Sequence, residues 1–275
     1  MRSQPIQTDA LGHQNVTVDH VDDQWMVLGT KRGEGSMSVW FAIPSINAKN
    51  CEKNLPKWQE KGYKTAVYVK SDVDSALRAD SPFLSLPAHV CNHLRAGPYF
   101  GWPDAVNRIA RIVLLIDPAC TAVVTGGDDM YPGLNDPNAN VLEAEFLRRF
   151  PDTCGVMQPT GDRWMMDASG RAVSERICGS PWMGRRFILT SYQGEGPFWN
   201  GYWHFYADEE LKEVTERDKM LWQRPDIMHY HDHWTRHRLA RPEYMREAQS
   251  KWDSDKVLFE RRKSAGFPKS EVLKS

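Results

Sequence analysis

The chain has 275 residues, enough for one large domain or two small ones, and its 41% hydrophobic and 26% charged residues are ordinary for a chain with a sizeable core. Its 35 basic residues against 36 acidic ones leave a formal charge of −1, which excludes a bulk electrostatic footprint for nucleic acid. No apolar run approaches the roughly 20 residues that cross a bilayer, and the N-terminus lacks the apolar core of a signal peptide.

Residues 1–35 read as a polar N-terminal extension with one small hairpin, Asn15–Asp19 with Gln24–Leu28, leading through the Gly-bearing linker Arg32–Ser36. The first core strand is Ser38–Ile43. It ends at Pro44, Ser45, Ile46 and Asn47, a loop that offers a helix N-cap. The segment up to Lys61 carries Cys51, Leu55 and Trp58 on one helical face, and Pro56 predicts a kink or break within it. Thr65–Val69 reads as a second strand, so the order strand, helix, strand predicts a parallel βαβ opening. Lys70–Asp74, with Asp72, follows at the ligand-binding edge of such a sheet. The Pro-, Gly- and aromatic-rich stretch from Ser81 to Trp102 reads as an ordered loop with short elements.

Pro103 opens a helix whose apolar positions Val106, Ile109, Val113 and Ile116 recur at three and four residues, and Asp117-Pro118 stops it. The stretch the chain is organised around comes next. Ala122–Thr125 has the β-branched character of a buried strand and runs into Gly126, Gly127, Asp128, Asp129 and Pro132. Two carboxylates at the C-terminal end of a strand suit a hard divalent cation that keeps a phosphate as co-ligand; Gly-Gly-Asp-Asp is also good turn chemistry. Beyond it the pattern gives a helix over residues 140–150, a strand at Val156–Pro159, a hairpin around Ala168–Gly170 and a Gly- and Trp-bearing segment from Glu175 to Arg185. The aromatic-dense Trp199–Asp208 then leads into a helix over residues 208–220. Residues 236–275 read as a helical tail with 11 Lys and Arg against 6 Asp and Glu, packed on the domain.

His229, His231 and His233 alternate, so in a strand all three share a face and offer imidazole ligands. They match part of a His-x-His-x-Asp-His zinc-hydrolase pattern, but Asp232 falls between the second and third histidines where that pattern does not put it. Asp208 reads either as a helix cap or as a general base for a hydroxyl. Trp182 and Trp199 read as core or as stacking platforms, and a tryptophan-rich binding module is a third class for the whole chain. Cys51, Cys91, Cys120, Cys154 and Cys178 are odd in number, scattered and without Cys-x-x-Cys, which predicts a reducing cytoplasmic setting and argues against disulfides and thiolate zinc sites.

Together these features resemble a GT-A-type glycosyltransferase, the single-domain nucleotide-sugar fold. The likeness lies in their order over residues 36–235: Pro44-Ser45 after a first strand, Asp72 after a second, Asn107 on a helix, a strand ending Gly127-Asp128-Asp129-x-x-Pro132, and a late histidine strand. It implies an α/β, Rossmann-like, mostly parallel sheet flanked by helices in a single domain, with a donor half over 36–135 and an acceptor half over 136–235. In the family an Asp-x-Asp motif holds a divalent cation, Mn2+ or Mg2+, on the diphosphate of a donor such as a UDP-sugar. Gly127 stands where the first aspartate usually does, so the resemblance implies Asp129, His231 and His233 as metal ligands. It implies Pro44, Ser45, Asp72, Asn107 and Asp128 along the nucleotide-sugar. Ile177–Arg185, Tyr206–Leu211 and Arg224–Trp234 are similar to phage-encoded members of the fold, among them enzymes that glycosylate hydroxylated pyrimidines in phage DNA within the host cytoplasm. That likeness implies an acceptor side built from Gly179, Ser180, Trp182 and Arg185, and Asp208 as catalytic base, with 5-hydroxymethylcytosine-containing DNA as acceptor. A transferase acting on a glycan or small molecule, or a histidine-rich metal hydrolase, are the alternative expectations.

Overall fold

A computed structural model of the chain describes residues 38–70, 82–83, 86 and 90–270. Asp72, the 15–28 hairpin and the 32–36 linker lie outside the described residues. The elements in chain order are β1 (Ser38–Ser45), α1 (Ala48–Glu60), β2 (Lys64–Lys70), β3 (His93–Gly97), α2 (Trp102–Ile116), β4 (Cys120–Val124) and β5 (Met130–Pro132). Then come α3 (Ala139–Arg149), β6 (Val156–Pro159), α4 (Val173–Arg176), β7 (Trp182–Gly184), α5 (Arg185–Thr190), α6 (Ala207–Arg217), β8 (Leu221–Arg224), β9 (His229–His231), α7 (Glu243–Ser250) and α8 (Trp252–Ser264).

The protein is an α/β fold around one seven-stranded sheet in the order β3-β2-β1-β4-β7-β6-β8. The first four strands run parallel, β7 runs against both neighbours, and β6 and β8 are parallel to each other. Period-2 alternation divides β1 between the two faces of the sheet. Trp40 and Ala42 pack with the buried face of α2 and with α6 and α8; Val39, Phe41 and Ile43 pack with Cys51, Leu55 and Trp58 of α1 and with Leu142 and Phe146 of α3. A separate two-stranded antiparallel ribbon joins β5 to β9. No helix among the described residues is long and apolar enough to cross a membrane.

Two local expectations change. α1 runs unbroken through Pro56. The N–H that proline lacks would have bonded the carbonyl of Glu52, an exposed residue whose carbonyl solvent can satisfy, while Leu55 and Trp58 anchor the helix on both sides of it. The stretch of residues 81–102 carries a short element as expected: the edge strand β3, whose mostly half-buried residues give no clean alternation. The Gly-bearing segment at Trp182 is β7, inserted between β4 and β6 rather than looped over them. Gly184 permits that insertion, because a Cβ there would lie 2.1 Å from the carbonyl oxygen of Thr153.

The C-terminal helix is bonded into the same fold. Asp255 of α8 accepts the N–H groups of Trp203, His204 and Phe205, each at 2.9 Å. Arg262 pairs with Glu210 of α6 through two hydrogen bonds of 2.9 and 2.7 Å, and Tyr192 and Tyr202 donate to the same carboxylate.

Candidate active site

The C-terminal ends of β1 and β4 lie side by side and open on a cleft of about 500 Å³. Its polar lining is Asn47, Asn50, Lys53 and Asn54 at the α1 start, with Asp128, Asp129, Asp232 and His237. Ile46 and Leu239, 58% and 61% exposed, with Trp234 and Pro242, complete it.

α1 grips the acidic turn from one side. Asn50 donates to Asp128 Oδ1 at 2.8 Å, Asn54 to the Asp128 carbonyl at 2.9 Å, and Trp58 Nε1 to the Met130 carbonyl at 2.9 Å. Positions 50, 54 and 58 are one helical turn apart, so a single face of α1 reads the turn residue by residue. Ser45, at the end of β1, donates to Asp128 Oδ2 at 2.5 Å. Desolvation pushes the Asp128 carboxyl up and outweighs those two bonds. Asp128 is therefore held by protein groups on both oxygens.

Asp129 points the other way, toward the β5–β9 ribbon. Its carbonyl accepts the N–H of Asp232 at 2.8 Å, and its Oδ1 lies 3.3 Å from His231 Nε2. Burial alone would raise this carboxyl; the hydrogen bond and charge of His231, with His233 beyond, outweigh burial and hold it below the usual range. Gly127 makes room for it, because a Cβ there would stand 2.4 Å from Asp129 Oδ1. His231 and His233 have ring centroids 4.9 Å apart. Desolvation and the neighbouring His231 push His233 down to about 4, so its imidazole is neutral, and its Nδ1 is taken by Thr235 at 2.7 Å. Asp162 and Arg236 bracket the ribbon: Asp162 accepts the His231 N–H at 2.9 Å and pairs with Arg236, whose Nε donates to the His231 carbonyl.

His229 shares the strand but not the site. It is buried, with its ring edge-on to Trp58 at 4.8 Å. Ser180 Oγ donates to the Thr125 carbonyl at 2.9 Å and so accepts from His229 Nδ1 at 2.7 Å. Burial pushes His229 down to about 3. A three-histidine metal site is therefore not what this ribbon builds.

The remaining expected site residues divide. Pro44 pairs with Tyr68 in the sheet register at the cleft end of β1. Asn107 lies in α2 with its amide engaged at both atoms by the backbone of Phe198, at 2.8 and 3.0 Å, so it is a latch between chain segments and not a ligand contact. Ser180 is spent on Thr125 and His229. Trp182 is fully buried between Tyr63 and Phe146 and offers no face for stacking. Arg185 sits at the opposite end of the sheet, because β7 runs antiparallel to β4, and its guanidinium bonds the carbonyls of Leu114, Asp117 and Cys120 at 3.1–3.4 Å. Placing Trp182 and Arg185 on an acceptor side is thus corrected: one is core, the other closes the C-terminus of α2. Gly179 stays half-buried between Ser180 and Cys178, whose N–H bonds the Asp208 carbonyl at 3.1 Å. Asp208 stands at the second position of α6, with Oδ1 accepting the Glu209 N–H, and desolvation raises its carboxyl.

Sequence reasoning missed Asn50, Asn54, Lys53, Asp162, Asp232 and Arg236. The two asparagines carried a signal, being four residues apart beside the apolar face of α1.

No family model matches the chain, and no curated protein matches it. Among solved structures it is similar to a mutant Drosophila β1,4-galactosyltransferase 7 in complex with manganese, UDP-Gal and xylobiose, at 10% identity over 76% of each chain and a TM-score of 0.41. It is similar also to a glycosyltransferase involved in glycosylation of the major capsid of PBCV-1, at 9% identity over 68% of this chain and 81% of that one, with a TM-score of 0.36. A third is the apo bifunctional glycosyltransferase WbbM, at 10% identity, 71% of this chain, 40% of that one and a TM-score of 0.40.

Among the described residues no group of three His, Cys, Asp or Glu side chains could hold a metal ion, so the expected ligand set Asp129, His231 and His233 is not assembled as three ligands. The pair Asp129 and His231 nonetheless suits a shared cation. Its 3.3 Å separation is near the roughly 3 Å between adjacent ligands of a small octahedral cation with bonds of about 2.1 Å. Such cations take one or two protein donors and fill the remaining positions with water and phosphate oxygens. An imidazole beside a carboxylate suits a transition-metal dication such as Mn2+, held jointly with a ligand, better than Mg2+, which takes oxygen donors.

Proposed function

We propose that this chain is a metal-dependent glycosyltransferase that moves a hexosyl group from a nucleoside-diphosphate sugar, a UDP-sugar, to an acceptor hydroxyl. The observation that carries the reading is the meeting of Asp129, which lines the cleft beside two parallel strand ends, with His231 from a distant part of the chain. That is where open α/β sheets take their ligands.

In this reading Asp129 and His231 would hold the divalent cation. When bound, the cation neutralises charge that develops on the departing nucleoside diphosphate. Asp128 does not need to bind it: Ser45 and Asn50 keep its carboxylate fixed, and with it the turn that presents Asp129. Ile46, Trp234, Leu239 and Pro242 are the apolar part of the cleft lining. Asp208, desolvated and raised, is the proposed base for the acceptor hydroxyl if configuration is inverted.

For the acceptor we propose a 5-hydroxymethylpyrimidine in DNA, on the likeness of residues 177–185, 206–211 and 224–234 to phage-encoded members of the fold. Gly179 and the α6 start remain as its acceptor side once Trp182 and Arg185 are withdrawn.

The test has two steps. UDP- and GDP-sugars with Mn2+ or Mg2+ are screened for a rise in melting temperature, which a ligand of the folded state produces by mass action. Transfer is then measured to hydroxymethylcytosine-containing DNA, unmodified DNA and simple sugars. Asp129→Ala is expected to lower metal-dependent donor turnover by about 100-fold or more, the scale of removing one electrostatic stabiliser. Full activity in that variant refutes the metal assignment.

A further inference from the structure

The cleft is too acidic for its proposed ligand. Asp128, Asp129 and Asp232 all line it, and a nucleoside-diphosphate sugar brings a doubly anionic diphosphate. One divalent cation does not balance that charge. Lys53 is the one Lys or Arg among the lining residues. Its neighbour one turn on, Lys57, is committed elsewhere: its ammonium lies 3.5 Å from the Tyr131 ring centroid and bonds Asn54 Oδ1.

Lys53 Nζ rests on Asp232 Oδ2 at 2.8 Å, with the lysine side chain 58% exposed. Asp232 also pairs with Nε2 of His237. An exposed ion pair of this kind contributes little to stability. The ammonium can therefore leave Asp232 for a phosphate oxygen at small cost, moving on a flexible four-carbon stem. The side chain of Asp232 is not what fixes the site, because its backbone N–H makes the bond to Asp129.

We propose that Lys53 is a direct contact for the diphosphate of the donor, and that Asp232 parks its ammonium at the cleft mouth until the donor enters. The proposal rests on the donor reading above. It makes Lys53 the second positive charge on the leaving group.

Three variants separate this from a merely structural ion pair, since the two readings predict opposite behaviour for Asp232. Binding of inorganic pyrophosphate and of UDP, each with Mn2+, is measured by calorimetry on the full chain. Lys53→Met is expected to weaken both by tenfold or more, Lys53→Arg to stay within about threefold, and Asp232→Asn to bind at least as tightly as wild type, having lost one repelling carboxylate. Uridine, which has no phosphate, is expected to be indifferent to all three. Melting temperatures of the variants near that of wild type verify folding. Wild-type affinity in Lys53→Met overturns the proposal, as does Asp232→Asn losing affinity in parallel with Lys53→Met. If wild type binds neither pyrophosphate, UDP nor GDP with either cation, the donor reading itself falls, and that is known before any variant is made.

Discussion

Gly127 is where a single residue decides the most. A GT-A-like motif would place a carboxylate there, but Asp129 swings its own carboxylate into the space a side chain would occupy, with Oδ1 only 2.4 Å from the position of an added Cβ. Gly127→Ala is therefore expected to leave the fold intact while displacing Asp129 from His231. Mn2+-dependent donor turnover should drop by about tenfold or more, with a melting temperature within a few degrees of wild type; unchanged Mn2+ dependence would show that the carboxylate does not need that position. The same economy explains the two adjacent aspartates. Asp128 is tied to Ser45 and Asn50 on both oxygens, which frees Asp129 to face the ribbon.

At the scale of elements, two parts hold the site in place. α1 reads the acidic turn with residues spaced one turn apart, and β5 and β9 pair so that Met130 lies opposite His231. A stack of side chains braces that ribbon: Lys57 over Tyr131, Tyr131 against Tyr230 at 4.9 Å, and Arg236 over Tyr230 at 4.0 Å. These aromatic faces are filled from within, so the tyrosines stiffen the ribbon and do not serve as platforms for a ligand. The C-terminal helix is held separately by the joint between α6 and α8, where Glu210 and Arg262 are both almost fully buried. Arg262→Met strands an uncompensated carboxylate and is expected to cost about 3–5 kcal/mol in urea unfolding. The double variant Glu210→Leu with Arg262→Met should recover much of that loss. A single variant as stable as wild type would mean the pair does not hold the C-terminal helix.

For the whole molecule, acid sensitivity follows from His229, which knots the ribbon, Ser180 and Trp58 together in the core. Its imidazole titrates at about 3 in the fold against about 6.5 in the unfolded chain. Between those values the unfolded chain binds the proton and the folded one does not. The contribution is thus intact above pH 6.5 and is lost on acidification at about 1.4 kcal/mol per pH unit, levelling below pH 3. In His229→Asn that slope is absent. The stability advantage of wild type over the variant, from urea unfolding at a series of pH values, should therefore shrink steadily from pH 6.5 downward. A difference that stays constant with pH would contradict the burial of a neutral imidazole.

The sequence by itself determined the parallel βαβ start, the apolar faces of α1 and α2, the strand that delivers Asp128 and Asp129, and the histidines at alternate positions. Each of these is a local periodic signal: two residues per strand repeat, three to four per helix turn, and a turn where glycines meet aspartates. Only the tertiary structure decided which polar groups were free to act. Asn107, Ser180, Arg185 and His229 looked available and are consumed by bonds to residues far along the chain, whereas Asn50, Lys53 and Asp232 looked like surface and line the cleft. Residue type fixes what a side chain can bond. Whether a partner already occupies it depends on contacts between segments distant in sequence, and no local pattern records those.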